Sequence, residues 1–185
     1  MKQYLFPANI LLPKASVDPT RYSVIACDQF TSEKDYWEQL ENFVGQAKST
    51  LKLTLPEIYL EDDADSRIAR INKNIKDYLD SGVFAQLKEG FVLTIRKTPF
   101  VERRIGLVGA IDLDKYDFSV GSESLVRATE GTVLERIPPR VKIRENAPLE
   151  LPHVMLLADD KEKTIIEKIE KGEKVYDFEL MQDGG

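Results

Sequence analysis

A basic segment, residues 122–152, contains the side chains with the clearest capacity for chemistry. The chain has a net charge of -6, yet this segment concentrates basic residues, namely Arg127, Arg136, Arg140, Lys142 and Arg144. Residues 127–132, of sequence RATEGT, add two hydroxyls, a carboxylate and a glycine. Guanidinium groups, hydroxyls and backbone N–H groups in one short stretch can converge on an anion. The segment therefore indicates an anion-binding loop.

Arg136 and Arg140 are separated by two prolines, and the sequence leaves their arrangement open. The prolines permit a helix that begins between the arginines, whereas the alternating Val141 and Ile143 are typical of a strand. In either case we expect the arginines to converge only through tertiary folding. Converged guanidinium groups suit a phosphate or carboxylate ligand, with Glu130 as a base or as a holder of a metal–phosphate complex. The alternative is a set of weak surface ion pairs with acidic neighbours, namely Glu135, Glu145 and Glu150.

Two further positions are candidates for chemistry. Asp28 follows an apolar run, and ligand-contacting residues often lie at the carboxyl ends of strands, so Asp28 is a candidate catalytic carboxylate. The alternative is that Asp28 is a turn residue and that Cys27 is a small buried side chain. His153 is the only histidine, and it opens an apolar run, which fits a structural role better than that of a catalytic base.

Composition and missing motifs narrow the class of protein. One cysteine excludes an internal disulfide and fits a cytoplasmic location, while a pI of about 5.0 makes nucleic acid an unfavourable partner. No stretch reaches the roughly 20 apolar residues of a membrane helix, so no membrane partner is expected. The acidic pairs at 62–63 and 159–160 lack the rest of a calcium loop, and there is neither a P-loop nor a dinucleotide fingerprint. No metal site is predicted.

The elements that must position these residues follow from hydrophobic periodicity. It predicts helices that begin at Ser32 and at Asp62, a short helical turn at 83–88, and a helix from Asp159. Residues 51–60 are either extended or form a short helix from Pro56. Strands or extended pieces are predicted at 4–12, 22–27, 91–96, 105–111, 152–158 and 175–181.

The predicted fold is a single α/β or α+β domain over residues 1–185. Its mixed sheet contains at least one antiparallel hairpin, formed by 91–96 and 105–111, and is flanked by helices. A turn signal at 182–185 follows the last predicted strand, so we expect the chain to be the N-terminal part of a longer protein.

Three segments carry a resemblance to a known family. Residues 25–32 (IACDQFTS), 36–38 (YWE) and 127–140 (RATEGTVLERIPPR) resemble the bacterial family catalogued as domain of unknown function 1015. The likeness covers nearly the whole chain and is most specific at 127–140. Many relatives have a histidine where this chain has Thr129. The resemblance therefore supports four residues of the site, namely Glu130, Thr132, Arg136 and Arg140, and gives position 129 no acid–base role.

Members of that family are usually about twice as long. Their later half carries an Asp-Gly-His-His-Arg motif that is similar to one in free serine kinases of the ParB and sulfiredoxin-like group, which bind nucleotide phosphates. That motif is absent from this chain. The resemblance therefore implies that the chain is the N-terminal half of such a protein and that this half alone is inactive.

The resemblance implies a cytoplasmic phosphate- or nucleotide-binding protein, with a small-molecule, amino-acid-like kinase as its most specific form. Arg127, Arg136 and Arg140 would contact the anion, Thr132 would donate a hydrogen bond, and the catalytic carboxylates would be Glu130 and Asp28. ADP or ATP with magnesium would be the cofactor of such a kinase. Its partners would be a small phosphate ligand and the missing C-terminal half. The alternative is a non-catalytic regulatory or protein-interaction module whose basic loop meets an acidic surface.

Overall fold

The computed structural model describes residues 4–165 and 172–180. The chain divides into two compact units. The strand unit comprises Met1–Leu12, Gln86–Val133 and Ala158–Glu173, and the helical unit comprises Pro13–Ala85, Leu134–Leu157 and Lys174–Gly185. Helices and strands are mixed along the chain, and antiparallel strand pairs form small sheets, so the fold class is α+β.

Within the described residues, the helical unit contains four α-helices and three 3₁₀ turns. The helices are α1 (Pro19–Tyr22), α2 (Lys34–Val44), α3 (Ala64–Asp80) and α4 (Ile137–Arg144). The 3₁₀ turns are Thr50–Lys52, Glu57–Tyr59 and Leu134–Arg136. Gly45 and Gly82 follow α2 and α3 with φ of 53° and 64°, a conformation that glycine adopts without steric cost.

The hydrophobic core of the described residues lies in the helical unit. Trp37 and Val44 of α2 belong to the same core cluster as Ile71 and Ile75 of α3, and these positions recur at helical spacing on each helix. The stretch between the two helices adds further large side chains to the cluster, namely Leu53, Leu55 and Tyr59. The amphipathic pattern of α2 and α3 therefore determines which residues form the interior.

A buried hydrogen-bond network joins three parts of this core. The Tyr78 hydroxyl accepts a hydrogen bond from the Ser49 N–H at 2.9 Å and donates one to the Ser49 carbonyl at 3.3 Å. The Ser49 and Thr50 hydroxyls donate to the Tyr22 carbonyl at 3.3 and 2.9 Å. Because Ser49 is fully buried, these bonds satisfy backbone groups that water does not reach.

The strand unit contains all or most of eight short strands. They are β1 (Leu5–Phe6), β2 (Ala8–Pro13), β3 (Phe84–Gly90), β4 (Val92–Arg96), β5 (Arg104–Val108), β6 (Ala110–Ile111), β7 (Tyr116–Asp117) and β8 (Val126–Arg127). They pair as β1–β6, β2–β3, β4–β5 and β7–β8. The β1–β6 and β4–β5 pairs are antiparallel, whereas β7–β8 is parallel.

The sequence predicted several of these elements correctly. The extended pieces at 4–12, the two long helices and the antiparallel hairpin of β4 and β5 are all confirmed. Residues 51–60 form two 3₁₀ turns, the second of which follows Pro56. The cap of α2 was placed wrongly, because the helix begins at Lys34 and Glu33 occupies the N-cap.

Three predicted elements in the described residues are wrong. Residues 22–27 are not a strand, because the Asp18 carboxylate caps the N-terminus of α1, which ends at Tyr22. Residues 83–88 are not a helical turn, because Phe84–Gly90 is a strand that pairs with β2. Residues 152–158 are not a strand, since none of the described strands pairs with them and their apolar side chains are exposed.

The last two predicted elements lie partly outside the described residues. Asp160 begins a turn in which its carboxylate accepts hydrogen bonds from the N–H groups of Thr164 and Ile165, and the rest of the helix predicted there falls on 166–171. Residues 175–180 have no regular structure, so the strand predicted at 175–181 is not formed over that range, and residue 181 is not described.

Candidate functional site

Arg136 and Arg140 lie on one continuous helical run. The 3₁₀ turn that ends at Arg136 leads directly into α4, and Arg136 itself has helical backbone angles of −84° and −11°. Residues four apart on a helix lie on the same face. The expectation that the prolines separate the two arginines is therefore wrong. Proline is compatible with the first turn of a helix, because the N–H that it lacks has no intrahelical acceptor there.

Both arginines contact one carboxylate, that of Glu57. Arg140 Nη2 donates a hydrogen bond of 2.7 Å to Glu57 Oε1, and Arg136 Nη1 lies 2.9 Å from Oε2. The Arg136 contact is an ionic one without hydrogen-bond geometry, so Oε2 is buried with no hydrogen-bond donor among the described residues. The Glu57 side chain is 5% exposed, whereas those of Arg136 and Arg140 are 43% and 48% exposed.

The backbone around Glu57 explains why this carboxylate is fixed. Glu57 begins the 3₁₀ turn that follows Pro56, and Tyr59 of the same turn is buried in the core. The Glu57 N–H donates a hydrogen bond of 2.8 Å to the Cys27 carbonyl. The turn is therefore anchored at both ends, and the carboxylate is presented to α4 with little freedom to rotate away.

α4 is held in place by contacts that its residues after Arg140 make. Ile143 packs against the hydrophobic core, and α4 lies against α3. Lys142 forms a salt bridge of 2.8 Å to Asp65 at the start of α3, and Arg144 contacts Glu150. The Asp65 carboxylate raises the pKa of Lys142. The sequence suggested Glu135, Glu145 and Glu150 as acidic partners of the basic residues. Among the described salt bridges, only the one between Arg144 and Glu150 uses one of these three.

Cys27 and Asp28 lie in the turn to which Glu57 is bonded. The Cys27 thiol is buried, and burial raises its pKa. The negative charge of Asp28 acts in the same direction, whereas the positive charge of Arg140 opposes it. Asp28 is exposed, and its side chain accepts a long contact of 3.5 Å from the Gln29 amide. Cys27 therefore fits the small buried residue of the alternative reading, while Asp28 remains an accessible carboxylate near the cluster.

The arginine–glutamate cluster, defined as Glu57, Arg136 and Arg140, carries a net charge of +1. Each guanidinium has five N–H donors, and the side chains of Arg136 and Arg140 are about half exposed. Guanidinium groups of this kind can form charge-assisted hydrogen bonds to an anion.

The remaining predicted site residues belong to the strand unit. Arg127 lies in β8, where its backbone is opposite Asp117 of β7. Hydrogen bonds from Ser119 lower the pKa of Asp117. Glu130 and Thr132 are exposed in the irregular stretch that follows. His153 is exposed in an irregular stretch of the helical unit. Within the described ranges, no group of three or more His, Cys, Asp or Glu side chains is arranged to hold a metal ion.

Glu57 is the residue that the sequence did not indicate. It lies 83 positions before Arg140, and no motif links the two. The one available signal was the Pro56–Glu57 pair, which marked the start of a short helix without showing what the acidic side chain contacts.

The fold and the cluster define an α+β protein with a positively charged arginine–glutamate site on its helical unit. The chain matches the family described as "Protein of unknown function (DUF1015)" over residues 9–185. It therefore belongs to that family, as the resemblance indicated. No curated protein and no solved structure matches the chain. No helix among the described residues has the length and apolar character that crossing a bilayer requires.

Proposed function

We propose that the helical unit binds a phosphorylated small molecule through Arg136 and Arg140. The observation that carries this proposal is the pair of half-exposed guanidinium groups held by one buried carboxylate. Guanidinium groups that are already oriented lose less freedom when a phosphate binds, so more of the interaction energy appears as affinity.

The charge balance of the cluster supports an anionic ligand. Glu57 neutralises one of the two arginines, which leaves a single positive charge for a ligand to meet. A di- or trianionic phosphate group can form several charge-assisted hydrogen bonds with the unused N–H donors. Among phosphate ligands, the family resemblance points most specifically to nucleoside di- and triphosphates with magnesium.

The other predicted residues extend this proposal to catalysis in a small-molecule kinase. Asp28 is the exposed carboxylate next in sequence to Cys27, whose carbonyl accepts the Glu57 N–H, and it would accept a proton or hold magnesium. Arg127, Glu130 and Thr132 lie in the strand unit and stay predictions from the sequence, with Arg127 and Thr132 as phosphate ligands and Glu130 as a catalytic carboxylate. The C-terminal half that the resemblance implies would supply the rest of the active site.

A thermal-shift series tests the binding proposal. The chain is heated with ADP, ATP, pyrophosphate or a phosphorylated amino acid at millimolar concentration, with and without magnesium. We expect at least one phosphate ligand to raise the melting temperature, because a ligand that binds only the folded state stabilises it. If none of them does so, the proposal is wrong.

Variants of the cluster assign the shift to these arginines. The triple variant Glu57→Gln, Arg136→Gln, Arg140→Gln removes the arginine charges without leaving Glu57 as an unpaired buried carboxylate, so its fold is expected to survive. Its thermal shift should disappear. Arg144→Gln is the matched control on the same helix and should keep the full shift. A shift that is unchanged in the triple variant would place the ligand elsewhere.

A second candidate function, that of a protein-interaction module, is favoured by a different observation. The apolar run at 154–157 is exposed, with Met155 at 79%. Large exposed apolar stretches commonly mark interaction surfaces. The proposed partner is the C-terminal half that the resemblance implies.

Hydrogen exchange tests this second candidate. We expect the amides of 154–157 to exchange more slowly in a longer polypeptide that includes the second half than in the 185-residue chain. Equal exchange rates in the two proteins would contradict it.

A further inference from the structure

The hairpin of β4 and β5 carries a concentrated positive charge in the strand unit. Between residues 92 and 108 there are four basic residues and one acidic residue, which gives a net charge of +3, although the whole chain has a net charge of -6. The basic residues cluster at the end of the hairpin that carries the connecting loop, namely Arg96, Lys97, Arg103 and Arg104. The only acidic residue, Glu102, pairs with Lys97 at 2.8 Å.

The register of the hairpin places two of these charges directly opposite each other. Arg96 is the backbone partner of Arg104, so their side chains project from the same face of the ribbon. Like charges in directly opposed positions destabilise a strand pair. Neither arginine forms a salt bridge within the part of the chain that the structure describes. The repulsion between Arg96 and Arg104 therefore destabilises the fold locally, and a bound external anion would reduce that repulsion.

The loop at the end of the same hairpin exposes apolar side chains. Phe100 is 93% exposed, and its neighbour Val101 is also exposed. Ile95 is exposed on the ribbon face opposite to that of Arg96, because successive strand residues point to opposite sides. The hairpin end thus has an apolar tip with cationic side chains two to four residues from it on either side.

We propose that this hairpin tip binds the surface of an anionic lipid bilayer. Phe100 and Val101 enter the boundary between headgroups and acyl chains, while Arg96 and Arg104 contact lipid phosphates and carboxylates. This combination of apolar and basic groups is that of peripheral membrane anchors. The sequence-based expectation of no membrane partner rested on the lack of a spanning helix, which a surface contact does not need.

Two features favour a bilayer over a nucleic acid strand. Single-stranded nucleic acid is usually bound in a groove by successive aromatic side chains, whereas this tip is a hairpin loop with Phe100 as its one aromatic residue. The adjacent Val101 gains nothing from base stacking but is stabilised on leaving water. The net negative charge of the chain does not oppose the contact strongly, because charges beyond about 8 Å are screened at physiological salt.

Vesicle flotation tests the proposal with the 185-residue chain. We expect the chain to float with vesicles of phosphatidylcholine and phosphatidylserine, to stay behind with pure phosphatidylcholine vesicles, and to be released by high salt. Arg96→Gln with Arg104→Gln should weaken binding about 25-fold, at about fivefold for each basic residue. Phe100→Glu should weaken it on the order of tenfold or more.

Matched controls and a direct probe complete the experiment. Phe118→Glu changes another exposed phenylalanine of the strand unit outside the hairpin and should leave flotation unchanged. The fluorescence of Phe100→Trp should shift to the blue with anionic vesicles. The proposal is overturned if the chain does not bind anionic vesicles or if the hairpin variants bind as well as the unaltered chain. Binding to a single-stranded oligonucleotide that the hairpin variants abolish, without vesicle binding, would also overturn it.

Discussion

Glu57 is the residue on which the arginine–glutamate cluster depends. Its carboxylate is buried, yet both of its cationic partners are about half exposed. The ion pairs are therefore intermediate between exposed salt bridges, which stabilise a protein little, and fully buried ones, which have a large desolvation penalty. A buried carboxylate loses much of its hydration on folding, and the two guanidinium groups compensate for that loss. Removing the arginines and removing the glutamate should therefore have unequal effects.

A mutant cycle measures this inequality. Arg136→Gln with Arg140→Gln should lower the free energy of unfolding by about 2–4 kcal/mol, because it leaves Glu57 without a cationic partner. Glu57→Gln alone should cost only about 1 kcal/mol, because the arginines remain hydrated. The triple variant should be more stable than the double variant. Urea unfolding of the four proteins gives the coupling energy, and strictly additive effects would contradict the account.

Tyr78 satisfies a buried polar group inside the core. Its hydroxyl accepts the N–H of Ser49, a residue that is fully buried. Tyr78→Phe should therefore lower the free energy of unfolding by about 1–3 kcal/mol, since the Ser49 N–H loses its acceptor without gaining water. Urea unfolding measures the change. Tyr116→Phe, at an exposed position, is the control and should change stability by less than about 0.5 kcal/mol.

α4 is the element that brings Arg136 and Arg140 to Glu57. Ile143 is its partly buried contact with the core, whereas Val141 on the same helix is exposed. Ile143→Ala should lower the free energy of unfolding by about 1–3 kcal/mol and weaken phosphate binding, because α4 is then held less firmly. Val141→Ala should change neither by a measurable amount. Equal effects of the two substitutions on binding would contradict the positioning role of α4.

The elements differ in how well the sequence could predict them, for physical reasons. α3 and the hairpin of β4 and β5 have strong periodicity and pack against immediate neighbours, so local pattern was sufficient. Val83 and Leu87 have helical spacing, but pairing with β2 overrides that pattern at residues 84–90. The apolar run at 152–158 resembles a buried strand, yet a strand forms only where a partner strand is available.

The candidate site shows the same division. Arg136 and Arg140 were identified from charge and residue type, which are local properties of the sequence. Their shared partner Glu57 was not identified, because the Glu57–Arg140 contact joins residues 83 positions apart and only the packing of α4 on the helical unit creates it. Asp28 was chosen on the premise of a strand that does not form, although the neighbouring Cys27 carbonyl does accept the Glu57 N–H.

Among the residues that the structure describes, most of the buried apolar side chains lie in the helical unit, together with three buried tyrosines, namely Tyr22, Tyr59 and Tyr78. Burial raises the pKa of Tyr22 and of Tyr78 above the ordinary value of 10.0. The folded state therefore holds these phenols neutral at a pH at which the unfolded chain ionises them. Their contribution to stability is complete below about pH 10 and is lost as the pH rises above that value towards the folded-state pKa.

The alkaline prediction is measured by urea unfolding at several pH values. The midpoint should stay nearly constant from about pH 8 to about pH 9 and fall between about pH 10 and pH 11. A midpoint that rises with pH above about 10 would contradict the assignment of these tyrosines to the core.

The Cys27 thiol, whose pKa burial also raises, should react slowly with iodoacetamide at about pH 8 in the folded chain.

Calorimetric titration of the chain with a phosphate ligand that gives a thermal shift measures whether Arg136 and Arg140 bind it. We expect saturable binding that is weakened about tenfold or more in the triple variant Glu57→Gln, Arg136→Gln, Arg140→Gln, because charge-assisted hydrogen bonds to the ligand are lost. Arg144→Gln should keep its dissociation constant within about twofold. Equal affinity of the triple variant and the unaltered chain would contradict the claim that these two arginines form the anion site.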